Sequence, residues 1–357
     1  MKNPFDDIPV GRRVFLGGLA AIATASSALA LSQRLRLAVL PQKFDRRAVR
    51  RPAQSRVAVL RAGDYDRDLV SPILEGARLC GLEVRGRGVI LKPNLVEFEA
   101  GTPINTDPRL VEAAVEAFRR MGASSVRVAE GAGHRRETEL LLEGTGLGPR
   151  LRALEAPFVD LNLDDVAKRR TASWFTGTRE MWFPRTLLEG DLLVSMPRLK
   201  THHLAGATLS MKNLFGCVPG AVYGWPKNVL HWWGIDRSIV DLAATLRPAF
   251  AIVDGIVGME GNGPIQGTEK RAGVLVFGRD PVAVDATCAR LMGIVPERLS
   301  WLAAAGEFLG NLREDRIVQV GEPPGPLAQP FALIGSLQGL RAGSPPGAAG
   351  SSRASGH

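Results

Sequence analysis

The sequence predicts an α/β fold, a mostly parallel sheet with helices on both faces. Three observations carry this. From Val57 onward, apolar runs of strand length alternate with amphipathic stretches of helix length, the rhythm of strand, crossover helix and strand. The runs GVIL (88–91) and LLVSM (192–196) are nearly apolar throughout, as strands buried on both faces must be. Helix-boundary signals fall where that rhythm needs them: Asp107 is placed to cap the helix RLVEAAVEAFRRMGA (109–123), with Pro108 at its first position and Gly122 at its end.

Taken in order, RVAVLRA (56–62) reads as a strand and LVSPILEGARLCGL (69–82) as a helix. GVILKPNLV (88–96) is a strand that ends in a polar turn, and the helix capped by Asp107 follows. SSVRVAEG (124–131) is a third strand and ETELLLEGTGL (137–147) a short helix, after which 151–185 is less regular. DLLVSMPRLK (191–200), AFAIVDGI (249–256) and GVLVFGRD (273–280) are further strands. The helix PVAVDATCARLMG (281–293) closes at Gly293, and RIVQVGE (316–322) is the last strand. The pattern predicts one domain over 56–325, without internal repeats, and a disordered Gly/Ser/Pro-rich tail at 339–357.

Composition places the chain among globular proteins: 357 residues, 45% hydrophobic and 23% charged. The net charge of +9 is concentrated at one end. Residues 1–56 hold eleven Lys or Arg against Asp6, Asp7 and Asp45, whereas the rest carries 34 basic and 33 acidic residues. A nucleic-acid-binding body would be basic over its folded face, so no nucleic-acid partner is expected.

The charge belongs to a leader. Gly11-Arg12-Arg13-Val14-Phe15-Leu16 precedes an uncharged small-residue and apolar run that ends in Ala28-Leu29-Ala30. This is a charged segment, an apolar segment and a cleavage pattern. The paired arginines resemble a twin-arginine signal over 1–30, with 31–55 a basic linker. An ordinary secretion signal or an uncleaved anchor are the alternatives. The resemblance implies a periplasmic or exported protein, handled by the twin-arginine translocation machinery, that touches the membrane only through its signal. Cys80, Cys217 and Cys288 are too few and too widely spaced for a disulfide framework or cluster ligation. Cys80 and Cys288 sit in apolar helical patterns, as packing residues.

In open α/β sheets ligands bind beyond the carboxyl ends of the strands. Four predicted strands end in polar clusters: Lys92-Pro93-Asn94, Arg198-Leu199-Lys200-Thr201-His202-His203, Asp254-Gly255 with the run MEGNGPIQG (259–267), and Arg279-Asp280-Pro281 with Asp285 one turn on. Lys92 and Lys200 follow buried strands, where an unpaired ammonium is expensive, so each pairs with a carboxylate such as Asp254 or Asp285 or receives an anion. Lys212 either faces solvent or joins them. Asn94 and Asn213 are turn formers or orient a carboxylate or phosphate. Gly261 and Gly263 offer backbone N–H groups as an anion cradle. His202 and His203 are neighbours and poor partners on one metal. A metal set of His202, His231 and Glu260, with Asp254 as an alternative carboxylate, is the option that remains. His134 follows the third strand and is either a satisfied loop histidine or a further residue that reaches such a site.

These stretches carry a resemblance. KPNLV (92–96), the TDP turn (106–108), LKTHHLAGATLSMKNLFGCVPG (199–220), VDGIVGMEGNGPIQG (253–267) and DPVAVDATCARLMG (280–293) resemble the signature blocks of the domain of unknown function 362 family over about residues 88–295. The resemblance implies a shared α/β fold and a common site whose chemistry is not established. Some members carry ferredoxin-type clusters on four close cysteines; this chain lacks them, and no iron–sulfur cluster is expected. The functional expectation is an enzyme that binds an anionic small molecule or cofactor. Lys92, Asn94, Lys212, Asn213, Gly261, Gly263 and Asp285 would hold the ligand, and Lys200, His202 and Asp254 would act on it. The alternative is a periplasmic anion- or metal-binding protein without catalysis.

Overall fold

The computed structural model describes residues 43–133, 137–225 and 227–344. The predicted signal, residues 31–42 of the linker, His134 and the end of the tail lie outside the described residues. From Phe44 the chain forms one compact unit.

Its centre is a ten-stranded sheet among the described residues, an α/β arrangement that is mixed but mostly parallel. In chain order the strands are β1 (Ser55–Arg61), β2 (Gly88–Pro93), β3 (Ser125–Glu130), β4 (Phe158–Asp160), β5 (Val166–Arg170), β6 (Glu180–Pro184), β7 (Leu192–Met196), β8 (Arg198–His202), β9 (Gly206–Thr208), β10 (Phe250–Asn262), β11 (Gln266–Gly278) and β12 (Ile317–Gly321). The main path runs β12-β1-β11-β10-β7-β2-β3-β4, and β8 leaves it to pair with β10 and β9. β2, β3, β4, β7 and β10 are parallel neighbours, so their carboxyl ends share one edge. β5 and β6 form a separate hairpin.

Each face of the sheet is covered because each helix has one apolar side. Helix Pro108–Arg120 puts Leu110, Val111, Ala114 and Phe118 into one core with helix Val70–Leu79. Helices Ile235–Leu246, Pro281–Leu291 and Ser300–Gly306 fill the other. Asp107 caps its helix as the sequence predicts, and Asp280 caps another. Asp107 accepts from Arg109 N, and Asp280 accepts from Val282 N and Ala283 N. Cys80 and Cys288 are buried packing residues, and Cys217 is buried as well.

The structure departs from the sequence reading in four places. The run 191–200 is two strands: Pro197 donates nothing to a ladder, and it separates β7, between β10 and β2, from β8, between β10 and β9. β11 is antiparallel to both β10 and β1, so its carboxyl end, with Asp280, lies at the sheet edge opposite to the others. The glycine run 259–267 is not a loop but the tip of the β10–β11 hairpin. Finally, the folded body is longer than 56–325. Phe44 stacks on Phe308 at 4.3 Å and Val49 is buried, although both lie in the predicted linker. At the other end Phe331, Leu333, Leu337 and Leu340 are core residues, so packing reaches into the predicted tail.

Candidate functional site

The carboxyl ends of β2 and β3, together with β8, its hairpin partner β9 and the segment Lys212–Cys217, enclose a cavity of about 600 Å³. Asn94, Glu130, Lys200, His202, His203, Thr208, Lys212, Asn213, Lys227 and His231 are in its wall. Several of these are buried, and their interactions differ sharply.

Lys92 lies behind the wall, fully buried. Its Nζ donates to Glu130 Oε1 at 2.8 Å and Oε2 at 2.7 Å, to Pro93 O at 3.1 Å and to Asn213 Oδ1 at 3.3 Å. Glu130 also accepts from Leu95 N and Gly131 N. Burial pushes its carboxyl up and Lys92 opposes this. Every hydrogen bond it makes is as acceptor, which serves the ionised form, so the two groups form a buried ion pair. Gly216 is required beside it, because a Cβ there would lie 1.8 Å from Glu130 Oε1 and 2.7 Å from Lys92 Nζ. Asn213 completes the clamp by donating to Lys92 O and Ser195 Oγ.

Three further lysines reach the cavity without a carboxylate within 4 Å among the described residues. Lys200, fully buried, donates to the carbonyls of Ile104 at 2.6 Å and Pro264 at 3.3 Å. Lys227 adopts φ 64°, a left-handed conformation unusual for a side-chain-bearing residue, and donates to Gly131 O at 2.9 Å. Lys212 is half-buried, with its Nζ 3.6 Å from the centre of the Phe215 ring, and makes no hydrogen bond among the described residues. Burial, then neighbouring cations, pushes Lys200 well down and brings Lys212 to about 7. Burial likewise brings Lys227 to about 8. The Phe215 face favours the charged amine of Lys212 by about 0.5–2 kcal/mol; burial with Lys92 and Lys227 outweighs it.

The histidines have readable tautomers. His202 Nδ1 accepts from Leu204 N at 3.1 Å and Ala205 N at 3.2 Å, which places the proton of the neutral ring on Nε2. Burial, then Lys212, pushes His202 well below its ordinary value. It is a neutral donor, with its Nδ1 lone pair already shared by two backbone N–H groups. His203 contacts Gly263 O through Nδ1 at 2.9 Å, which requires a proton there and leaves the Nε2 lone pair. His231 packs edge-on against Phe215, with centroids 5.9 Å apart.

Two buried polar atoms in this wall, Asn94 Oδ1 and Thr208 Oγ1, have no hydrogen-bond partner among the described residues. Thr208 is paired across the β8–β9 ladder with Lys200. Buried polar groups are almost always satisfied, so orphans gathered beside unpaired amines point to a cavity shaped for something polar.

The remaining sequence-predicted residues are elsewhere. Asp254 is not in the wall: it accepts from Tyr65 Oη at 2.7 Å and Asp107 N at 3.0 Å and pairs with Arg198 at 3.0 Å. Arg198 also donates to Asn105 O and Val257 O. This network fixes β8, which presents Lys200 and His202, so Asp254 positions the site from outside. Asp285 accepts from Ser210 N, Ser210 Oγ and Met211 N, tethering the entry to the Lys212 segment. Gly261 spends its N–H on Ala332 O, and Gly263 approaches β8 so closely that a Cβ would meet Thr201 O at 2.1 Å. Neither is in the cavity wall. Glu260 accepts from Ala332 N and pairs with Lys270, away from His202 and His231, and no group of three metal-ligating side chains forms among the described residues.

Sequence reasoning missed Glu130 and Lys227. Glu130 ends β3 at the same sheet edge as Lys92 and follows the same strand-end rule. Lys227 had a different signal. The chain has 37 arginines and only eight lysines, and four of those eight gather here. Arginine stays charged everywhere, whereas lysine loses its proton when buried.

A family model described as a domain of unknown function (DUF362) matches residues 89–290. The chain belongs to that family. The DUF362 region spans every wall residue of the cavity named above. The chain is 28% identical over 230 residues to a thylakoid-associated protein of Synechocystis sp., covering 61% of this chain and 67% of that one. Among solved structures it is similar in fold to the lactate racemase apoprotein from Thermoanaerobacterium thermosaccharolyticum, at 14% identity and a TM-score of 0.39 over 62% of this chain and 54% of that one. A Thermotoga maritima protein of known structure gives 12% identity and a TM-score of 0.34 over 62% and 57%.

Proposed function

We propose that this DUF362 protein binds an anionic small molecule in the cavity at the carboxyl ends of its strands. The observation that carries the reading is the pair Lys200 and Lys212, two amines that line one cavity with no carboxylate within 4 Å among the described residues. An anion restores their charge and is held by it. The His202 Nε2–H and the Thr208 hydroxyl supply directed hydrogen bonds, and a ligand hydroxyl or amine would satisfy Asn94 Oδ1. His202, whose Nδ1 already accepts two backbone N–H groups, serves as a donor. Lys92, Asn213, Asp254 and Asp285 hold the framework. Among the described residues no three metal-ligating side chains converge, and it is the amines of Lys200 and Lys212 that support anion capture.

The test is a thermal-shift titration with sulfate, phosphate, acetate, succinate and pyruvate. The reading predicts saturable stabilisation by at least one of them, lost in Lys200→Met/Lys212→Met. No shift with any anion, or the same shift in that double variant, contradicts it.

Export is part of the proposal and rests on the leader alone. Arg12→Lys/Arg13→Lys together should keep the chain in the cytoplasm, because the twin-arginine pathway distinguishes the two cations; unchanged fractionation would rule this out.

A further inference from the structure

Four lysines gather at the cavity, and one differs from the rest. Lys92 is paired with Glu130, Lys200 donates to two carbonyls and Lys227 to one. Among the described residues the amine of Lys212 has only the face of Phe215 against it, and it is part of the cavity wall. Capture by charge alone would be served better by arginine, which this chain uses at 37 positions. What lysine can do and arginine cannot is lose its proton and attack carbon.

We propose that Lys212 is a nucleophile that forms a Schiff base with a small carbonyl compound bearing a carboxylate, such as a 2-oxo acid. This rests on the anion-binding reading: a simple anion pairs with Lys200 and Lys212, whereas a 2-oxo acid would put its carboxylate on Lys200 and Lys227 and leave the unprotonated Lys212 facing its carbonyl carbon. The Nζ lone pair forms a bond to the carbonyl carbon while the C=O π pair moves onto oxygen. A proton passes from nitrogen to that oxygen, and His231, packed on the same Phe215 ring, is placed to carry it. A second proton lets the oxygen leave as water and the nitrogen lone pair closes the iminium. Amine, carbonyl and one proton taken up from solvent give iminium and water, and no oxidant or reductant is required. The amine is poised for this: at about 7, half of it carries a lone pair near neutral pH, where an ordinary lysine has almost none.

The experiment incubates the full-length chain with pyruvate and sodium borohydride near pH 7.5 and maps the adduct by peptide mass spectrometry. The expected result is one reduced pyruvate on the Lys212 peptide, at least tenfold above Lys168 and Lys270, which lie outside the cavity. Labelling of that peptide should fall as pH drops below 6 and vanish in Lys212→Arg. The wild-type map stands whether or not that variant folds. Equal labelling of all lysines, or none while pyruvate still gives a saturable thermal shift, overturns the Schiff base and leaves anion binding standing. If neither pyruvate nor any other anion shifts the melting point, both readings fall together.

Discussion

Lys92 and Lys212 are the same residue type in the same part of the fold, under opposite conditions. Lys92 is fully buried and has three kinds of partner: a carboxylate, a carbonyl and an amide oxygen. Lys212 is half-buried and has an aromatic ring. Burial by itself therefore does not distinguish a structural lysine from a functional one. What distinguishes them is whether the protein has already supplied the counter-charge. The Lys92–Glu130 pair holds β2 to β3, whereas the cost of an unpaired amine at Lys212 is tolerated and left for a ligand to relieve.

The largest expected effect tests the paired side. Lys92→Met leaves the Glu130 carboxylate buried without its counter-ion and should cost about 3–5 kcal/mol in denaturant unfolding. Lys92→Met/Glu130→Gln should cost clearly less than the two single variants added together, because neither charge is then stranded. A loss below about 1 kcal/mol for Lys92→Met would remove the contrast. Asp254→Asn, in the second buried network, should cost about 3 kcal/mol by weakening its pairing with Arg198.

The unpaired side should behave in the opposite sense. Lys212→Met should leave the empty protein as stable or slightly more stable, yet weaken anion binding about tenfold or more, equivalent to about 1.4 kcal/mol. The sign of its pH dependence follows from its value of about 7, below that of a lysine in an unfolded chain. Above pH 7, and up to the ordinary lysine range, the unfolded chain binds more protons than the folded one, so wild-type stability rises relative to Lys212→Met. Below pH 7 the gap between the two should be constant. The smallest effect belongs to Thr208→Val, which removes an unsatisfied hydroxyl and should stabilise the empty protein by up to about 1 kcal/mol.

Much of the fold was legible because strand and helix periods are local properties. Val57 to Gly146 could be read element by element, caps included. The direction of β11 was not, because GVLVFGRD has the same apolar pattern whichever way it pairs; its antiparallel placement alone removes Asp280 from the cavity edge. The site was half legible. Lys92, Lys200, His202, Lys212 and Asn213 follow from polar residues at strand ends and the KNLFG stretch. Asp254 obeys the same rule, but Arg198 and Tyr65 reach it first, a competition between side chains far apart in sequence. The glycines from Gly255 to Gly267 were misread because close backbone approach in a hairpin and an open anion cradle ask for the same residue.

The central claim is that an anion supplies the charge that Lys212 lacks, and calorimetry tests it directly. Binding should raise the affinity of Lys212 for its proton, so at pH 8 sulfate or succinate should bind with net proton uptake. This is read from the dependence of the binding heat on the ionisation enthalpy of the buffer. The account predicts uptake at pH 8, little at pH 6, and none from this residue in Lys212→Met. Binding with no proton uptake at pH 8, or uptake unchanged in Lys212→Met, would contradict it.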